Sequence, residues 1–245
     1  MKMNQKIGLQ LYSVRKELSL AFDNTLQAIC KLGFEYVELA GLHFLNPKEF
    51  AQKLQQNKLQ PISMHCDALT TDGLKRSMRE SNMLNCNNLV CPWVQPNTFK
   101  TEQSLIEFAA ALNDANKKIN AQGKTLLYHN HDFEFQKIGD VLAYDVFVAN
   151  LHPNIQLQFD VYNCAIARVD PIQIFNKHAD RITMLHLKDG NISPAKPNKA
   201  VGFGKMDYKN LLNSFSKLPE WSFIEFETCN SNIFGAIKKS MYYFE

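Results

Sequence analysis

A chain of 245 residues with 45% apolar content can bury one large core, and its formal net charge of +3 is mild. Lys and Arg are scattered along the chain, which argues against a nucleic-acid surface, and no run approaches the roughly 20 apolar residues of a membrane span. The six cysteines show neither CxxC spacing nor the density of a secreted disulfide scaffold, and MKMNQKIGLQLYSVR lacks the long apolar segment of a signal peptide, so a soluble cytoplasmic protein is expected.

The first strand is expected at Ile7 to Leu11, ending at Tyr12-Ser13-Val14-Arg15. Asp23 to Leu32 has apolar residues at helical spacing and stops at Gly33, and Phe34 to Leu39 is strand two, carrying Glu38. A helix over Pro47 to Gln56 begins on a proline that loses no N–H partner there. Strand three is Pro61 to Met64, with His65, Cys66 and Asp67 beyond it, and a helix covers Gly73 to Leu84. Asn88 to Cys91 is strand four, running into Pro92-Trp93, and a long helix spans Thr101 to Gln122 before Gly123.

Strand five, Thr125 to Tyr128, stops abruptly at His129-Asn130-His131-Asp132. The pattern continues with a helix over Asp140 to Asn150, strand six at Ile155 to Phe159, and a helix over Pro171 to His178. Strand seven is Ile182 to Leu185, followed by a helix over Tyr208 to Leu218, a strand over Ser222 to Ile224 and a closing helix over Ile233 to Phe244. Eight strand-helix units of about 30 residues each leave nothing for a second domain and close naturally into a single (β/α)8 TIM barrel spanning 1–245. An open doubly wound sheet is the alternative, weakened by LQLYSVR standing where a glycine-rich phosphate turn would follow strand one.

The active site of such a barrel lies at the C-terminal mouth, so polar residues at strand ends point to chemistry. Strand five ends at His129 and His131, strand six at Asp160, strand seven at His186 and Lys188, and strand eight at Glu225 and Glu227, with Glu38 and His65 from strands two and three. Any one of these side chains could be a salt bridge or a solvated loop end. Two imidazoles and two carboxylates from four neighbouring strands suit one divalent ion, Mn2+, Co2+ or Zn2+ before Mg2+.

GLQLYSVR, GFEYVELAG, YHNHDFEF, FDVYN followed by VDP, HLKDG followed by VGFGKMDY, and IEFET before a helix with KKSMYY together resemble the xylose isomerase-like barrels described as sugar phosphate isomerases/epimerases. The resemblance implies a single metal held by residues from strands five to eight, and carries three of its ligands onto Asp160, His186 and Glu225. Many relatives have a glutamate where this chain has His129, which inherits the ligand position, with His131 as the alternative. The implied activity is a metal-dependent sugar or sugar phosphate isomerase or epimerase that abstracts a proton next to a carbonyl. Because one of the family's paired glutamates is missing, elimination of the inosose dehydratase kind and keto-glycoside cleavage by a lyase or hydrolase stay open.

Glu225 is the first candidate base, Glu38 and His65 are acid/base partners, and Lys188 offers a cation to an enediolate oxygen or a phosphate unless it forms a salt bridge to Asp189 or Glu227. Trp93, His131, Gln10 and Tyr12 are candidate substrate contacts, and Gly202-Phe203-Gly204 is a weak phosphate signal. The expected partner is a small sugar or polyol, without nucleic acid or membrane, and a homo-oligomer is open. A DNA-repair endonuclease of the endonuclease IV type is disfavoured by Asn163, which stands where that type has a histidine, and a barrel that has lost catalysis is the remaining alternative.

Overall fold

The computed structural model describes residues 5–244, so the first residues of the leader reading and both ends of the domain span lie outside the described residues. Eight parallel strands form the barrel: β1 Lys6–Gln10, β2 Tyr36–Ala40, β3 Gln60–His65, β4 Asn88–Cys91, β5 Thr125–His129, β6 Gln156–Asp160, β7 Ile182–Leu187 and β8 Trp221–Ile224. They follow one another around the barrel in chain order, and β8 closes onto β1 with Lys6 opposite Trp221. Helices cover the outside, and among the described residues none is long and apolar enough to cross a membrane.

Two apolar compartments separate inside from outside. Ile62, Val90, Leu127, Met184 and Phe223 fill the lower barrel interior, where Gly8 leaves the space that the Phe223 ring occupies. The larger core lies between strands and helices. There Tyr128 packs among Phe99, Phe108 and Phe147 with ring centroids 6.5, 5.8 and 4.7 Å away, so the aromatic side of β5 faces outward and its histidine end faces the mouth.

Several elements differ from the sequence reading for local reasons. A 3-10 turn at Leu11–Val14 and a helix at Arg15–Leu20 precede the helix expected over Asp23 to Leu32, which runs Phe22–Lys31. Gly139, at φ +61, turns a small hairpin of Lys137–Ile138 and Val141–Leu142, so the helix expected from Asp140 starts at Ala143. A helix at Val161–Ile166 was not anticipated, and it begins where Asp160 accepts the Asn163 N–H and caps it. The helix expected to reach Leu218 ends at Ser214, where the Ser216 N–H turns to Asn176 Oδ1 at 2.7 Å.

His65, His129, Asp160 and His186 lie within their strands and not beyond them, because ladder pairing continues past the apolar runs, with Ala40 opposite His65 and Asp160 opposite His186. Two register shifts, at Val37/Glu38 against β3 and at Leu157/Gln158 against β7, adjoin the positions from which Ser63 and Gln158 reach Glu38. Bulges that re-aim side chains in this way are common beside active sites.

Candidate active site

Above the apolar floor the barrel interior turns polar, and Glu38 is its hub. Glu38 is fully buried and accepts from Gln10 Nε2 at 2.6 Å, Ser63 Oγ at 2.5 Å, Gln158 Nε2 at 2.5 Å and His186 Nε2 at 2.6 Å. Burial alone would raise its pKa, but His186 and His65 outweigh that and hold it well below the usual carboxylate range. A carboxylate enclosed by four donors has little left with which to take a substrate proton. In this geometry Glu38 orients the four side chains that donate to it.

Gln10 is likewise a framework residue. Its Oε1 accepts the Tyr12 N–H at 2.9 Å, which fixes the amide so that Nε2 faces both Glu38 and His65 Nε2, the latter at 3.1 Å. His65 Nε2 also lies 3.2 Å from Glu38 Oε1. Its ring remains at the edge of the mouth cavity, where it can meet a substrate.

His186 bridges two carboxylates, with Nε2 on Glu38 and Nδ1 on Glu225 Oε2, each at 2.6 Å. Burial opposes its charge, yet the two carboxylates raise its pKa to about 10. Lys188 lies 3.0 Å from Asp160 Oδ2, 3.0 Å from Glu225 Oε2 and 2.6 Å from Glu227 Oε1, which bears out the salt-bridge reading with Glu227. Its backbone carbonyl accepts from the Tyr208 hydroxyl, fixing the start of the following loop. Burial would raise the Glu225 pKa, but Lys188 and His186 prevail and hold it below the usual carboxylate range.

His129 is buried, and burial together with the charges of His186, His131 and Lys188 keeps it neutral, well below the ordinary imidazole range. Its Nδ1 has no hydrogen-bond partner, and its Nε2 is 4.0 Å from Asp160 Oδ2. Asp160 Oδ2 meets only the Lys188 ammonium and that distant imidazole, while Oδ1 is fixed by its cap at 2.8 Å. His129, Asp160, His186 and Glu225 bring donor atoms within 4.8 Å of one another.

Two positioning residues escaped the sequence reading. Buried Glu134 accepts from Tyr128 OH at 2.8 Å and from the His131 N–H at 2.9 Å, setting the backbone after β5. Asn130 accepts the Asp160 N–H at 3.0 Å and donates to the Asp160 carbonyl at 3.2 Å, fastening the end of β5 to the end of β6. The run YHNHDFEF contained both, but sequence alone could not show which polar residues turn inward. Asn163 completes the fastening by donating to the Asn130 carbonyl.

The mouth opens into a cavity of about 490 Å3 lined by Tyr12, Arg15, His65, Trp93, His129, His131, Lys188, Glu225 and Glu227 among others. His131 stacks on Phe133 with centroids 5.6 Å apart, and Arg15 covers the Tyr12 ring at 3.9 Å while donating to the Tyr12 and Glu227 carbonyls. Gly202-Phe203-Gly204 is not a phosphate cradle. Asp189 Oδ2 takes the Gly202 and Gly204 N–H groups at 2.9 Å each, and Oδ1 takes those of Gly190 and Met206, so these donors are spent on the loop itself. A Cβ on Gly204 would overlap that carboxylate, which is why glycine is needed there.

The donor set fits a divalent cation: a neutral buried imidazole with an unpartnered nitrogen, an underused carboxylate oxygen, and a histidine whose second nitrogen is held by a carboxylate. The last feature is the outer hydrogen bond that orients metal-bound histidines. Glu38→Gln is accordingly expected to weaken metal affinity by about 10-fold to 100-fold although Glu38 is outside the ligand set, measured by competition with a fluorescent chelator. Unchanged affinity would show that His186 is oriented by other contacts.

A closed parallel barrel with a polar ring at its C-terminal mouth defines an α/β-barrel protein of the class whose sites are built from strand ends. The model of the xylose isomerase-like TIM barrel family matches residues 26–242, and the chain belongs to that family. The chain is similar to the structure of a sugar phosphate isomerase/epimerase from Parabacteroides distasonis, with 23% identity, TM-score 0.82, and 98% of this chain and 97% of the other covered. It is also similar to the IOLI protein with a bound zinc atom, with 14% identity, TM-score 0.71, and 97% and 96% covered. A third likeness is to apo 3-keto-D-glucoside 4-epimerase from E. coli, with 16% identity, TM-score 0.68, and 98% of each chain covered. No curated protein matches the sequence.

Proposed function

We propose that this protein is a metal-dependent sugar isomerase or epimerase that removes and returns a proton next to a substrate carbonyl, using one divalent ion held by His129, Asp160, His186 and Glu225. The observation that carries this reading is the convergence of donor atoms of those four side chains within 4.8 Å of one another, with His129 and Glu225 lining the mouth cavity. The zinc reported for the IOLI protein and the activity named for the Parabacteroides protein support it. When bound, the ion supplies Lewis-acid polarisation of a carbonyl oxygen.

The chain's own residues supply the rest. Glu225, ionised throughout the neutral range, receives the proton, and His65 or His131 faces the substrate from the other strand ends to return one. Lys188 balances the carboxylates of Asp160, Glu225 and Glu227 and so keeps Glu225 ionised beside the substrate. A second reading, elimination or keto-glycoside cleavage, is favoured by one observation. His129 is neutral and replaces the family's second glutamate, so the two sides of the cavity carry unequal bases.

The test is solvent deuterium uptake next to the carbonyl, followed by NMR across ketoses and keto-glycosides with protein reconstituted in turn with Mn2+, Co2+, Zn2+ and Mg2+. About one ion per chain and exchange without loss of water support isomerisation. Exchange with product dehydration transfers the assignment to elimination, and neither binding nor exchange returns the protein to a non-catalytic barrel.

Ion binding is also expected to depend on pH in a direction the site dictates. The raised pKa of His186 stabilises the cation-free fold fully below the unfolded imidazole value of about 6.5, and that contribution is lost as pH rises through about 10. The lowered pKa of Glu225 stabilises it above the unfolded value of about 4.3, and that is lost in acid, with the raised Asp160 working in the opposite sense. The lowered pKa of buried His129 adds stability above about 6.5 that is lost as pH falls, so thermal midpoints of the cation-free protein should be highest near pH 6.5. A cation must displace the His186 proton, so affinity should rise from there toward pH 10, with proton release seen as buffer-dependent heats in calorimetry. Heats independent of the buffer would mean that His186 keeps its proton.

A further inference from the structure

We infer that the substrate of this site is an unphosphorylated glycoside, with its reacting ring over the polar floor and its second unit in a side cavity beyond Trp93. The inference rests on the carbohydrate reading above and specifies its substrate class. A second cavity of about 590 Å3 lies between the loops that follow β2, β3 and β4 and shares His65, Pro92 and Trp93 with the mouth cavity. The two form one cleft, with the half-exposed Trp93 indole at the junction. A single sugar ring over His129 and Glu225 would leave the side cavity vacant.

The lining suits a second ring. Leu42, Ala68, Leu69 and Trp93 offer apolar surface, and Arg76 and Glu80 from the helix Thr71–Met83 offer a donor and an acceptor for hydroxyl groups. An aromatic face beside polar side chains complements a pyranose, which has apolar C–H faces and a rim of hydroxyls.

The absence of phosphate follows from how the mouth's cations are used. Lys188 is spent on three carboxylates, and Arg15 donates to two backbone carbonyls. Arg76 shares its cavity with Asp67 and Glu80, whose carboxylates both feel its charge, so a phosphate there would meet two anions for one cation. The backbone donors of Gly202 and Gly204 are committed to Asp189. A neutral ligand needs no uncommitted cation in such a cleft.

The chain has two tryptophans, so Trp221→Phe leaves Trp93 as the sole indole reporter. Its fluorescence is titrated with phenyl β-D-glucoside, cellobiose, glucose and glucose 6-phosphate, with and without Zn2+, and calorimetry on the unaltered protein repeats the series should the variant fold poorly. The expected result is saturable quenching with the glycosides bound roughly tenfold tighter than glucose, and glucose 6-phosphate no tighter than glucose. Arg76→Ala, a change at an exposed position, should narrow the ratio of glycoside to glucose affinity several-fold. Equal affinity for glucose and the glycosides, or preference for the phosphate ester, would overturn the inference. Deuterium exchange is a separate readout: glycoside preference without exchange leaves this inference standing and removes the isomerase reading alone.

Discussion

Asp160→Ala should lower metal affinity by more than about 100-fold and reduce turnover to background, the largest loss expected of any single ligand. Asp160 is the fully buried carboxylate whose Oδ2 faces His129 and Lys188, and its removal takes a negative charge from a site that must host a cation. It also removes the cap on Val161–Ile166, worth about 1 kcal/mol, so the alanine variant mixes two effects. Asp160→Asn separates them, because an amide oxygen can still accept the Asn163 N–H while its charge is gone. The asparagine variant should keep most of its cation-free thermal stability and still lose stoichiometric metal, as read by elemental analysis after gel filtration. Near-normal metal content in both variants would remove Asp160 from the ligand set.

Much of this arrangement was legible in the chain because a parallel barrel repeats a simple pattern. Short apolar strands alternate with amphipathic helices, and inward positions near each strand's C-terminal end gather at one mouth. His129, Asp160, His186 and Glu225 could thus be brought together on paper, and they lie within 4.8 Å of one another in space. What could not be read was how each side chain is occupied. Glu38 looked like a reactive carboxylate, but two register shifts surround it with Ser63 and Gln158, and Gln10 and His186 complete the enclosure. Register shifts leave little mark on hydrophobic pattern. Glu134 and Asn130 were missed for a related reason, since their roles depend on partners across a turn or on the neighbouring strand.

The same limit applies to charge. Lys188 sits in HLKDG beside Asp189, and adjacency in sequence suggests that the two pair. In the fold they part company: Lys188 turns into the mouth toward Asp160, Glu225 and Glu227, and Asp189 turns back to gather the N–H groups of its own loop. Neighbouring residues near a strand end point to opposite faces, so a Lys-Asp dipeptide there supplies two different sites. A cation that looked available for phosphate is instead the counter-charge of a three-carboxylate cluster.

Glu225→Gln is expected to cut deuterium exchange by about 10²-fold to 10⁴-fold while metal occupancy falls far less, because an amide oxygen still coordinates weakly but cannot accept a proton. Glu225 lies 2.6 Å from His186 Nδ1 and 3.0 Å from Lys188 Nζ, so its negative charge is well stabilised and its basicity correspondingly low. That tension has a measurable consequence. Lys188→Met removes the foremost of the three cations restraining Glu225, the others being His186 and His65, and should move its pKa upward toward the ordinary carboxylate range, shifting the acid limb of the exchange profile to higher pH. The same variant leaves Asp160, Glu225 and Glu227 without their shared counter-charge, so its cation-free thermal midpoint should fall even as its base strengthens. An acid limb that moves in Lys188→Met and a rate collapse with retained metal in Glu225→Gln would together identify Glu225 as the base. Metal and exchange lost in parallel would leave Glu225 a ligand only, and the proton would pass to His65 or His131, the imidazoles that line the cavity outside the four-residue ligand set.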